Sequence, residues 1–214
     1  VDEFLTRVAA QLEVGDRLFC VLDDASRDRT RDKVEAFAAR DPRVACGWAP
    51  ENRCVVDAYF RGYRAGLESS AEWILEMDGG LSHIPEEIPR FRAAMATGVD
   101  FAAGSRFIKG SNYSGRPTRW LLSRGGTWMA NLMLGTRMKD MTSGFECFSR
   151  KAMEFVVQRG VRSRGHFFQT EIRFMLREWS WVEVPISYAC PSNRVGAGTV
   201  GEALRNLWQL RRQR

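Results

Sequence analysis

Apolar positions along this chain follow two alternating periods. Phe4, Leu5, Val8 and Leu12 recur at helical spacing, so the sequence opens in an amphipathic helix. Residues 17–22 then read as a buried strand that ends in the acidic turn Asp23-Asp24. The spacing predicts a helix over 30–39 with Val34 and Phe37 inward, a short strand around Val44, and a helix over 55–68 that buries Val56, Tyr59, Phe60, Tyr63 and Leu67. A strand over 73–77 runs into Asp78-Gly79-Gly80. A helix then begins at Pro85, with Glu86 and Glu87 in the first turn, where the helix dipole favours carboxylates. A strand over 99–103 leads to Gly104-Ser105-Arg106. Further on come a helix over 150–159, another from about 166 with Phe168, Ile172, Met175 and Trp179 as its buried stripe, a strand over 181–188, and a basic amphipathic helix from Leu204 to Arg214.

Strands alternating with helices predict a single α/β domain built on a Rossmann-like, mostly parallel sheet flanked by helices. In such sheets ligands sit beyond the carboxyl ends of the strands. Three chemically loaded turns fall there: Asp23-Asp24, Asp78-Gly79-Gly80 and Ser105-Arg106. Their convergence is the first functional signal. Asp23 and Asp24 also have a plainer reading, as caps of helix 30–39.

The segment 105–139 changes the picture, because no acidic residue lies between Asp100 and Asp140. It carries Arg106, Lys109, Arg116, Arg119, Arg124, Arg137 and Lys139 among Trp120, Leu121, Leu122, Trp128, Met129, Leu132, Met133 and Leu134. Such a mixture suits an anion-binding face that also lies against lipid headgroups; a core helix with solvated arginines is the alternative. Glu171 falls on or beside an apolar stripe, and a buried carboxylate needs a partner. Arg106 is one candidate for a buried structural pair with it.

The 214 residues are 44% apolar and 27% charged, which excludes a disordered chain and suits one core. Net charge is +6, and Lys occurs only at 33, 109, 139 and 151, so arginine dominates and inclines the chain toward anionic ligands. No motif supports nucleic acid. Five scattered cysteines without a Cys-x-x-Cys pair argue against a zinc site or disulfide framework and for a reducing, cytoplasmic setting. No apolar run reaches the ~18 to 20 residues of a spanning helix, and no signal peptide is visible. The expected location is therefore the cytoplasm or the inner face of the membrane. Gly196-x-Gly198-x-x-Gly201 matches a dinucleotide fingerprint in letters, but the strand and acid that must follow are missing. These glycines read instead as a loop bringing Arg194 over a phosphate.

Seven motifs in register resemble family-two glycosyltransferases of the GT-A fold, especially the branch similar to dolichol-phosphate mannose synthases. They are Asp-Asp-Ala-Ser-Arg-Asp-Arg-Thr (23–30), Glu-Met-Asp-Gly-Gly-Leu-Ser-His (76–83), Gly-Ser-Arg-Phe (104–107), Leu-Ser-Arg-Gly-Gly (122–126), Asp-Met-Thr-Ser-Gly-Phe (140–145), Gly-His-Phe-Phe-Gln-Thr-Glu (165–171) and Val-Glu-Val-Pro-Ile (182–186). The resemblance implies inverting transfer of a sugar from a nucleotide diphosphate donor to a polyprenyl phosphate or another membrane-associated acceptor. A catalytically silent nucleotide-sugar or membrane-surface binding module is the alternative. On the donor side it implies Asp23, Asp24, Asn52, Arg53, Asp78 and Arg194, with Asp78 also facing a divalent cation, Mg²⁺ or Mn²⁺. Arg106, Arg119, Ser123 and Arg124 would hold an acceptor phosphate. Asp78, Arg106, Asp140 and Glu171 form the candidate catalytic set, with Asp140 and Glu171 the bases a hydroxyl acceptor would need. His83 reads as a turn residue or a metal ligand.

Three departures stand out. Gly80 replaces the family's second metal-binding Asp, which removes a hard oxygen ligand. Cys54 and Val56 stand where relatives usually carry glycines. The family's first strand, central in its sheet, has no counterpart here, so neighbouring strands are expected to lack a pairing partner.

Overall fold

The computed structural model describes residues 1–24, 26, 28–189 and 197–212. Helix α1 (Asp2–Ala9) precedes strand β1 (Leu18–Leu22), α2 (Thr30–Ala38), β2 (Val44–Trp48), α3 (Val55–Glu68) and β3 (Trp73–Glu76). A 3-10 turn at Pro85–Glu87 leads into α4 (Ile88–Met95) and β4 (Phe101–Ser105). Then follow β5 (Asn112–Ser114), α5 (Pro117–Leu134), β6 (Glu146–Ser149), α6 (Arg150–Arg159), α7 (Phe168–Met175), β7 (Trp181–Pro185), β8 (Ser187–Ala189) and α8 (Ala197–Arg211).

The main sheet runs in the order β3-β6-β4-β7, and alternation along its strands sorts side chains into two cores. Ile74, Phe101, Ala103 and Phe148 face the core built with α3, α5, α6, α7 and α8. Ala102, Cys147 and Val184 face the core built with α1, α2 and α4. The result is a three-layer α/β/α domain.

As expected, most strands run parallel: β3, β4 and β7 share one direction, and β1 runs parallel to β2; β6 alone in the main sheet is reversed, antiparallel to both β3 and β4. Apolar periodicity reports burial and carries no strand direction, so this was invisible in the pattern. Its consequence is spatial. Glu146 opens β6 opposite Glu76 and Ala103, near the carboxyl ends of β3 and β4, so the chain leaves β4 and re-enters the sheet at one end. The acid-free segment thus starts and finishes over the rim where ligands are expected.

Other expectations need correcting. Strand β1 pairs only with β2, in a separate two-stranded sheet, and Phe19 is 37% exposed, so β1 is half-buried. Among the described residues, the sheet is broken between β1 and β3. The strand expected over 181–188 is interrupted at Ile186, after which β8 pairs parallel with β5. Gly198 and Gly201 lie within α8, so they form no glycine loop. At the other end, α5 begins at Pro117 and stops where Gly135 takes φ +70°, a left-handed terminus that glycine tolerates without strain.

Candidate functional site

Just past β3, the chain turns through Asp78, whose carboxylate is held from two sides. Tyr59 on α3 donates its hydroxyl to Oδ1 at 2.8 Å, and the Ser82 hydroxyl lies 3.3 Å from Oδ2. The Asp78 backbone N–H donates to His83 Nδ1 at 3.1 Å. That bond needs a lone pair on Nδ1, so His83 is neutral, and its burial lowers its pKa in the same direction. The ring stacks on Phe145 at 5.0 Å. To bring His83 back under Asp78, Leu81 adopts φ +58°, which costs a side-chain-bearing residue strain. His83 therefore shapes the Asp78 turn, and its Nδ1 is unavailable to a metal.

At the end of β4, Arg106 and Asp140 form a buried bidentate pair, 6% and 0% exposed. Arg106 Nε reaches Oδ2 at 2.7 Å and Nη2 reaches Oδ1 at 2.9 Å, while the Arg106 backbone N–H donates to Oδ2 at 3.1 Å. Arg106 Nη2 also donates to Thr142 Oγ1 at 2.6 Å. Burial alone would push the Asp140 carboxyl up; the Arg106 charge and hydrogen bonds outweigh it and hold the pKa down at about 2. Two expectations fall here. Asp140 is not a general base, because a carboxylate so stabilised does not take a proton near neutral pH. The Nε–Nη2 edge of Arg106, the fork that would grip a phosphate side-on, is already occupied by Asp140 and Thr142.

Glu171 is corrected too. Its carboxylate accepts from the backbone of Arg162 at 3.0 Å and Ser163 at 3.1 Å, and from the Ser163 hydroxyl at 2.7 Å. It ties down the loop before α7 and is 3% exposed, and its partners are the 162–163 backbone and Ser163 rather than Arg106.

Of the remaining acceptor-side candidates, Arg119, Ser123 and Arg124 lie on α5. Arg119 Nη2 donates to the Tyr188 hydroxyl at 3.3 Å. Arg124 is exposed, its guanidinium 5.0 Å from the Phe107 ring and 5.7 Å from that of Trp120. Ser123 is half-buried.

On the donor side, Asp23 is half-buried and Asp24 exposed directly after β1. Leu22 and Met77, the residues preceding Asp23 and Asp78, pack against the same core. Asp28, rather than Asp23 or Asp24, serves the start of α2, accepting from the Thr30 N–H at 3.0 Å. The buried Asn52 amide nitrogen has no hydrogen-bond partner among the described residues, an arrangement that costs free energy unless a ligand satisfies it. Arg53 is engaged with Asp57 at 3.0 Å in an exposed pair. Arg194 lies outside the described residues.

Sequence reasoning missed a layer beneath these groups. Glu76 and Glu146 sit opposite each other on β3 and β6; Tyr63 donates to Glu76, and the fully buried Arg173 pairs with Glu146 and reaches the carbonyl oxygens of Asp140 and Ser143. The signal was a glutamate inside the otherwise apolar run Trp-Ile-Leu-Glu-Met.

The glycosyl transferase family 2 model matches residues 1–157. The chain belongs to glycosyl transferase family 2. It is 33% identical over 198 residues to an undecaprenyl-phosphate mannosyltransferase of Micrococcus luteus, covering 89% of this chain and 81% of the relative. It is 33% identical to a polyprenol monophosphomannose synthase of Mycolicibacterium smegmatis over 78% of this chain and 65% of the relative. A dolichol-phosphate mannosyltransferase of Pyrococcus furiosus is 28% identical over 98% of this chain and 59% of its own length. The chain thus spans about two thirds or less of the latter two. Among solved structures, glucosyl-3-phosphoglycerate synthase from Mycobacterium tuberculosis, in complex with Mn²⁺, UDP-glucose and phosphoglyceric acid, superposes with a TM-score of 0.71 at 15% identity, covering 97% of this chain and 75% of that one. That likeness shows the GT-A fold.

No group of three or more His, Cys, Asp or Glu side chains gathers among the described residues. Asp78, its side chain 39% exposed, is the carboxylate on this turn. One carboxylate suits an ion such as Mg²⁺ that keeps several waters and takes its other oxygens from phosphates. The residues fit a cation held in that way.

Proposed function

We propose that this glycosyltransferase moves a sugar from a nucleotide diphosphate donor to a polyprenyl phosphate. The observation that carries the reading is the occupation of both candidate bases: Asp140 is locked to Arg106 and Glu171 to the 162–163 backbone. A hydroxyl acceptor would need a base to remove its proton. A phosphate monoester oxygen is already anionic near neutral pH and attacks the anomeric carbon directly, the sugar leaving its diphosphate as the new bond forms. What such an acceptor needs is positive charge to bring two phosphates together, and Arg119 and Arg124 offer it on a segment without acids. The mannosyltransferase names of the relatives point the same way.

On the donor side, Asp23 and Asp24 face the base, Asn52 supplies its unpartnered amide, and Asp78 holds the cation. That ion supplies positive charge for the departing diphosphate. Membrane contact belongs to the same proposal. Leu121, Trp128 and Leu132 on α5 are 66%, 67% and 65% exposed at spacings of seven and four, which align them on one helical face. Leu204 and Trp208 are exposed on α8, which packs against α5. No helix among the described residues is long and apolar enough to cross a membrane. An apolar ridge flanked by arginines suits an anionic lipid surface.

The test is transfer from a panel of GDP- and UDP-sugars to a short prenyl monophosphate, with thermal stabilisation by each donor read in parallel. Stabilisation by one donor class and product formation are expected. A chain that no nucleotide stabilises and that forms no product would falsify the proposal, whereas stabilisation without product indicates the silent binding module. Sedimentation with anionic vesicles tests the ridge: Leu121→Ser with Trp128→Ser should release the protein, and unchanged sedimentation removes the membrane element.

A further inference from the structure

Between β4, α5 and β8, rings and guanidinium groups alternate in a stack that the reading above leaves without a role. The Arg106 guanidinium carbon lies 5.2 Å from the ring centres of both Phe107 and Tyr188. Tyr188 stacks on Tyr113 at 5.9 Å with the planes 9° apart. Phe107 also lies 5.0 Å from the Arg124 guanidinium and meets Trp120 edge-on at 5.9 Å. From the same Tyr188 the hydroxyl receives Arg119 at 3.3 Å. Phe107 and Tyr188 therefore each touch the immobile Arg106 and one of the two arginines assigned to the acceptor.

That arrangement has a physical use. A long arginine side chain loses rotamer freedom when it grips a ligand, and one already resting on a ring or hydroxyl has less to lose. Arg106 cannot wander, because Asp140 and Thr142 fix it, so rings packed against it are fixed in turn. We infer that Phe107 and Tyr188 are positioning residues that hold Arg124 and Arg119 ready as a two-guanidinium clamp for the acceptor phosphate, with the Arg106–Asp140 pair as its fixed base. This rests on the polyprenyl phosphate reading.

The experiment compares the wild-type chain with Tyr188→Phe, Phe107→Leu and Phe107→Tyr, alongside Arg119→Gln and Arg124→Gln. It measures KM for the donor and for a ten-carbon prenyl monophosphate, kcat, and the thermal midpoint. Tyr188→Phe and Phe107→Leu should each raise the prenyl phosphate KM about three- to fivefold, the loss expected for a single exposed cation–π contact or hydrogen bond. Donor KM should stay at the wild-type value, and Phe107→Tyr, which keeps a ring, should restore the acceptor KM. If the two arginine variants raise the acceptor KM while the ring variants leave it alone, the positioning role is overturned and the acceptor reading stands. If the arginine variants also leave it alone, or the wild type does not use prenyl phosphate, the acceptor reading falls and takes the clamp with it. Equal rises in both KM values, or no rescue by Phe107→Tyr, mark a structural role only and overturn the inference. Should Phe107→Leu unfold, Tyr188→Phe keeps the ring, removes one oxygen, and decides alone.

Discussion

Asp78 stands by itself where the family uses two acids, and the space beside it is open. A Cβ built on Gly80 meets nothing within 4 Å, and Gly80 does not adopt a positive φ, so an aspartate fits there without strain. Gly80→Asp should therefore fold normally and bind Mn²⁺ more tightly in the presence of nucleotide diphosphate, read by calorimetry. Unchanged Mn²⁺ affinity would refute the account of a cation held by one carboxylate. Arg106 makes the opposite case. Arg106→Met leaves Asp140 buried and unpaired, which should cost about 3 to 5 kcal/mol in urea unfolding at pH 7. The pH sign follows from the depressed Asp140 pKa. Its stabilisation is complete above the unfolded carboxylate range and is lost as pH falls toward about 2, so the wild type should lose its advantage over Arg106→Met through that acid window. A gap that persists to pH 2 would show that the stabilisation is not electrostatic. The motif letters exposed both Arg106 and Asp140 but not their union, since a pair 34 residues apart depends on how the 106–145 excursion returns.

At the scale of elements, helices α3 and α6 fall at the bounds their periodicity predicts, because each buries one stripe and exposes the other. Strand β6 was not anticipated: its four residues follow a long loop, and its direction depends on where the chain comes back. That return sets Glu146 opposite Glu76 in a dry layer. Burial first, and then the charge of Glu146, push the Glu76 carboxyl well above its ordinary range, against the hydrogen bond from Tyr63. Burial also raises the Glu146 carboxyl, to about 7, although Arg173 draws it down; Glu76 has no such cation beside it and is raised further. A raised carboxyl binds a proton in the native state that the unfolded chain has released, so its contribution falls as pH rises above about 4.5. Glu76→Gln should reduce that slope, leaving the part due to Glu146: its urea midpoint should exceed the wild type's at pH 8, and the excess should shrink at pH 5. Parallel curves would show that Glu76 does not hold a proton in the folded chain.

Taken whole, the described strands form three separate sheets, and the proposed donor residues divide between two of them: Asp23 and Asp24 follow β1, Asp78 follows β3. The three-layer plan was readable because apolar runs must be covered on both faces. The division was less so, since it reflects strand pairing rather than composition. Two short strands that pair with no other strand among the described residues hold few of the interactions that resist local opening. Amides of β1 and β2 should exchange with deuterium faster than those of β4 and β6, and a bound nucleotide diphosphate should slow them selectively. Uniform slowing across all four strands, or none, would contradict the division. If a donor bridges that seam as proposed, it acts as a rivet between the two sheets, and protease digestion of these strands should slow when nucleotide diphosphate is bound.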